Sequence, residues 1–131
     1  MLCDQRGKSM PISIDYDRKE NVIYSKAEDV IKLDDIISYF LSVANLDLKK
    51  GYRVFADYSE ASLKLSNEDI HEMAKRRKVM LDTNERISIA VFCKEDFVFG
   101  LGRMYEILLG EGKYNVMIFR SQEEARKWLG V

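Results

Sequence analysis

The chain has little of what usually announces chemistry. One histidine and two cysteines, Cys3 and Cys93, stand among 131 residues, too few for a usual structural zinc site. Cys3 falls in a polar tail and Cys93 at the end of an apolar run, so no disulfide is expected and a reducing cytoplasm is the expected compartment. No apolar stretch approaches the ~18 residues of a membrane span, and Met1–Ser9 has no apolar run of the kind a secretory signal carries. Charge of one sign is missing too. Twenty-one basic against 22 acidic residues give a net charge of −1, which leaves no global field to draw nucleic acid or a membrane surface. No internal repeat or low-complexity segment occurs. No nucleophile–base pair, metal set or paired carboxylate group is legible either. Gly100-Leu101-Gly102 lacks the third glycine of a dinucleotide fingerprint and sits inside a helical pattern. The expectation is a protein that binds and does not catalyse, with no cofactor and no metal.

What is present is a core. At 47% hydrophobic and 33% charged, the chain has the composition of a single domain with a solvated surface, read as residues 11–131 behind a flexible polar lead-in over 1–10. Ile12–Tyr16 alternates strictly, as a half-buried strand does. A turn at Asp17–Asn21 returns the chain into Val22–Ala27 as a hairpin. Leu33–Ala44 has apolar residues at helical spacing, with Asp34 as the candidate N-cap. Tyr52–Asp57 reads as a buried strand and Tyr58–Leu65 as a serine-rich loop. Ser66 caps a helix running to about Leu81, and Asp82–Glu85 breaks it. Ile87–Cys93 is an apolar β-branched run of a strand buried on both faces. Asp96–Leu109 is a helix stopped at Gly110, Val116–Phe119 a last strand, and Ser121–Glu124 a capping box for a final helix. The order ββαβαβαβα predicts an α/β fold, with a mixed, mostly parallel five-stranded sheet and four helices.

Two segments carry a resemblance. The turn Asp57-Tyr58-Ser59-Glu60-Ala61-Ser62-Leu63-Lys64-Leu65-Ser66 and the order of elements resemble the SpoIIAA-like fold of STAS domains, over roughly Pro11–Val131. Phe99-Gly100-Leu101-Gly102-Arg103-Met104-Tyr105-Glu106 is similar to an aromatic-Gly-Leu-x-Arg-Met-aromatic-Glu element of stand-alone bacterial and archaeal members. The resemblance implies a partner-binding regulatory module. It places Ser66 on the serine that anti-sigma factor antagonists phosphorylate, but the preceding Asp and following Gly of that motif are absent here, which argues against a phosphorylation switch. Other proteins of this fold look like lipid-transfer or small-ligand domains, and that implies a second reading.

The residues themselves are weighed against duller roles. The carboxyl edge of the strands should gather Asp57, Ser59, Ser62 and Ser66, then Cys93, Lys94 and Asp96, then Arg120. Serines and aspartates also cap their own turns, the commoner role. An anion site at the helix N-termini is disfavoured by Glu68-Asp69, Glu95-Asp96 and Glu123-Glu124. His71 reads as solvated, and Cys93 as buried. Arg77 aligns with Ile70 and Met73, and the expectation is a stem over the core edge with its guanidinium in water. The Asp96–Leu109 helix is apolar nearly all round, leaving a polar line through Arg103 and Glu106 that Phe99 interrupts. A helix on a sheet needs only about a third of its circumference apolar, so this one has surface to spare. Gly100 is expected to crowd the sheet.

Two functions follow. The leading one is a self-associating interaction module, a homodimer through Phe99, Gly102, Arg103, Tyr105 and Glu106, with the Asp57–Ser66 loop as a second contact surface. The alternative is a carrier of a small apolar ligand or lipid.

Overall fold

A computed structural model describes residues 11–81, 86–110 and 113–131. The lead-in with Cys3, the Asp82–Glu85 break and Glu111-Gly112 lie outside the described residues. The chain forms β1 (Ile12–Asp17), β2 (Val22–Ile31), α1 (Leu33–Ala44), β3 (Arg53–Leu63), α2 (Asn67–Met80), β4 (Ile87–Phe92), α3 (Asp96–Leu109), β5 (Tyr114–Phe119) and α4 (Gln122–Leu129). The strands lie side by side in chain order, β1 antiparallel to β2 and the rest parallel.

That order decides where the helices go. Each crossover from β2 onward moves one strand in the same direction, and right-handed connections of that kind put successive helices on one face. The core agrees. Ile23, Val54, Ile89 and Val116 pack with the inward residues of α1, α2 and α3, among them Phe40, Ile70 and Leu101. Alternate residues on the same strands, Val22, Phe55, Ala90 and Phe92, pack with Ala125 and Leu129 of α4, with Trp128 at the edge of that cluster. The period-2 alternation of strand side chains produces this division. Ile87–Phe92 is therefore buried on both faces, as its apolar run implied.

Local chemistry sets the joints. Asn21 takes the left-handed backbone that ends the β1–β2 turn (φ 61°) and accepts a 2.6 Å hydrogen bond from Tyr16 Oη. Arg53 ties that hairpin to the end of α4, its Nη2 donating to Glu20 O (2.5 Å) and its Nη1 to Leu129 O (2.9 Å). The start of α1 is capped from within: Asp35, not Asp34, takes the Lys32 N–H at 2.8 Å. Ser66 caps α2 reciprocally with Asp69 (3.1 and 2.9 Å). Gly110, at φ 72°, ends α3.

Two strands outrun their sequence reading. β2 continues to Ile31, and Tyr58–Leu63, read as loop, is strand paired with β2. The serines hid an alternation in which Ala61 is buried while Glu60 and Ser62 face water. The register shifts between Lys26↔Asp57 and Glu28↔Glu60, with one extra residue on β3. Asp57 Oδ1 accepts from both Ser59 N (2.9 Å) and Ser59 Oγ (2.6 Å), satisfying the groups that such a bulge leaves out of the ladder.

Candidate functional site

The three-helix face and the sheet border a cavity of about 80 Å³ that is partly open to solvent. Its wall on the sheet side comes from Val54, Ala56 and Tyr58 of β3, Ile89 and Val91 of β4, and Ile118 of β5. The helices contribute residues from successive turns: Ile36, Tyr39 and Phe40, then Ile70, Met73 and Arg77, then Leu101, Gly102 and Tyr105. Most of this lining is buried. Tyr58, Leu63, Val91 and Gly102 are only half-buried and mark the side nearest water. A space bounded by so many apolar side chains is not one that water fills readily.

Gly102 is there because of close approach. A Cβ at that position would lie 2.9 Å from Ile118 Cδ1, whereas one at Gly100 would meet nothing within 4 Å. The sheet contact expected of Gly100 thus belongs to Gly102, because the buried stripe of α3 runs through Val98, Leu101, Tyr105 and Leu109.

Arg77 is the unusual group. It is 4% exposed, with its guanidinium carbon 5.2 Å from the Phe40 ring centroid and 5.6 Å from that of Tyr114. The expected position with the head in water is overturned. Nη1 donates to Tyr105 Oη over a long 3.4 Å. Nε and Nη2 have no hydrogen-bond partner, and among the described residues Arg77 forms no ion pair. An arginine remains charged under any ordinary condition, so the cavity wall carries a positive charge that no described residue answers. The tyrosines do not supply one. Burial raises the pKa of Tyr39 above its ordinary value, and Tyr39 shares a 2.6 Å hydrogen bond with Ser25. Burial likewise raises that of Tyr58, helped by Tyr39 and Tyr105. Both stay neutral phenols.

The residues singled out from sequence are scattered by the fold. Tyr105 turns inward to the cavity and Gly102 lines it. Phe99 is half-buried, with the Arg120 guanidinium 4.7 Å above its ring. Glu106 is half-buried, 3.5 Å from Arg103. The water-facing line of α3 is instead Asp96, Phe97, Gly100, Arg103 and Ile107, on which Phe97 is 58% and Ile107 72% exposed. Asp57, Ser59 and Ser62 lie on β3, and Ser66 is committed to its cap. At the strand ends Asp96 pairs with Arg120 at 2.5 Å, and Cys93 is buried, its thiol pushed up by that burial and eased down by Arg120. Sequence reasoning missed Tyr39, Tyr58 and the role of Arg77. The 70–73–77 spacing signalled burial for Arg77; nothing in the sequence joined the two tyrosines to it.

Among the described residues no His/Cys/Asp/Glu group could hold a metal, and no helix is long and apolar enough to cross a membrane. No family model and no curated protein matches the sequence. A solved structure does: an uncharacterized protein of the DUF3478 family with a SpoIIAA-like fold, from Shewanella loihica PV-4, at 16% identity and a TM-score of 0.58. The match covers 90% of this chain and 93% of that one. At this identity the likeness establishes the fold.

Proposed function

We propose that this SpoIIAA-like domain works by holding a small apolar ligand between its sheet and its three crossover helices. The observation that carries the reading is the cavity itself, walled by apolar side chains from six elements and about 80 Å³ in volume. Interiors are normally packed with few voids larger than a water, so an apolar space of this size between sheet and helices is a place for another molecule. It is roughly half the 150 Å³ known to admit benzene, and it is open along the side of Tyr58, Leu63, Val91 and Gly102, so that a butyl or hexyl chain fits with its end reaching that opening. The ligand is therefore small, and a long-chain lipid would need the helices to move. Titrating the labelled protein with 1-hexanol tests this: methyl resonances of Leu101, Ile118 and Met73 should shift together and saturate. An absence of shifts up to millimolar alcohol would set the reading aside.

A second reading has its own support. Phe97 and Ile107 stand exposed on the water-facing line of α3, on either side of Arg103, two apolar contacts suited to self-association or to a regulatory partner. Phe97→Glu and Ile107→Glu are the probes. Sedimentation should show a wild-type dimer that both substitutions dissociate; a wild-type monomer at high concentration removes the homodimer.

A further inference from the structure

We infer that the ligand of this cavity is an anion, a small apolar carboxylate whose head group takes the free edge of Arg77. The inference rests on the cavity reading and adds the ligand's chemical class. Its basis is which atoms of the guanidinium are unused. Nη1 is directed to Tyr105 Oη. Nε and Nη2, the two nitrogens without a partner, are the pair whose N–H bonds run parallel along one edge of the group. A carboxylate offers two oxygens at matching spacing, and the paired hydrogen bonds it forms with this edge are the strongest recognition that arginine makes. A hydrocarbon ligand would leave both donors buried and unsatisfied, and a neutral hydroxyl would accept from them without answering the charge.

The surroundings favour one charge and one size. Ile70, Met73, Leu101 and Ile118 surround the remaining space with hydrocarbon, which suits a short chain and no second polar group. Rings of Phe40 and Tyr114 stack against the cation without neutralising it. The side chain therefore holds its place in the empty protein while keeping its charge for a ligand. A substrate with a cationic head would meet Arg77 directly and is excluded.

Calorimetry with the full chain at pH 7 tests the inference, using butanoate and hexanoate beside 1-butanol and 1-hexanol, on the wild type and on Arg77→Met. The carboxylates should bind the wild type at least tenfold more tightly than the matched alcohols. Arg77→Met should lose that preference while still binding the alcohols. The preference should persist in 0.5 M salt, since a buried pair is screened little. Alcohols and carboxylates binding the wild type equally would overturn the anion and leave the cavity reading standing; neither class binding would overturn both. If Arg77→Met fails to fold, the wild-type comparison still decides, together with the Arg77 Nε–H resonance. That proton should move downfield with hexanoate and not with 1-hexanol, and its failure to respond to saturating hexanoate would defeat the inference.

Discussion

Replacing Arg77 by methionine should make the ligand-free protein more stable. Met keeps the length of the stem and removes the charge. In the wild type Nε and Nη2 are buried without partners, at a cost of about 1–3 kcal/mol for each unsatisfied group, more where it is charged. The stacks on Phe40 and Tyr114 return roughly 0.5–2 kcal/mol each, and the 3.4 Å contact to Tyr105 is too long to return much. The balance favours the apolar side chain by about 1–3 kcal/mol, in line with buried ionic groups exchanged for hydrophobic ones. For a domain of this length that is a rise of roughly 3–9 °C in Tm. Urea unfolding followed by fluorescence of Trp128, on the opposite side of the sheet, measures it without touching the site. A loss of more than about 2 kcal/mol would mean that the guanidinium is a structural post, and the argument that it awaits a counter-charge would fail.

Other outcomes follow from single contacts. Ser66→Ala should cost about 1 kcal/mol through the lost cap of α2, and an unchanged urea midpoint would contradict the reciprocal bonding with Asp69. Gly102→Ala puts a Cβ against the flexible end of Ile118 and narrows the cavity, so hexanol binding should weaken several-fold while the fold survives; undiminished binding would move the ligand elsewhere. Tyr39 and Tyr58 have folded pKa values raised above the unfolded value near 10. The unfolded chain therefore sheds those protons first, and stability should hold below about pH 10 and fall above it. Tyr39→Phe should make the alkaline fall shallower, and an identical pH profile would count against the burial. Cys93, buried with a raised pKa, should react with Ellman's reagent far more slowly in native than in unfolded protein.

The order of elements was readable because its signals are local. α1 begins and ends where the periodicity places it, and Ser66 caps α2 as its spacing with Asp69 suggests. The overrun of β3 was not readable, because strand pairing between Glu60–Leu63 and Glu28–Ile31 is a tertiary event that serine composition masks. On α3 the helical period was right and its phase was wrong. An apolar residue at nearly every position cannot say which stripe meets the sheet, and only the fit of Gly102 to Ile118 decides it. For Arg77, alignment with Ile70 and Met73 pointed inward while its charge pointed outward. The usual exposure of arginine made the second seem stronger, and the conflict between those two signals marked the site.

The sequential strand order has a consequence for how the molecule assembles. Among the described residues no strand is inserted between two earlier ones, so each strand leaving the ribosome finds its partner already at the growing edge. Parallel sheets are usually slow to form because distant segments must meet, but here every pairing closes over one hairpin or one helix. Folding can advance in a single direction, and the eight residues of α4, which follow the fifth strand, cover the apolar face that the strands leave open.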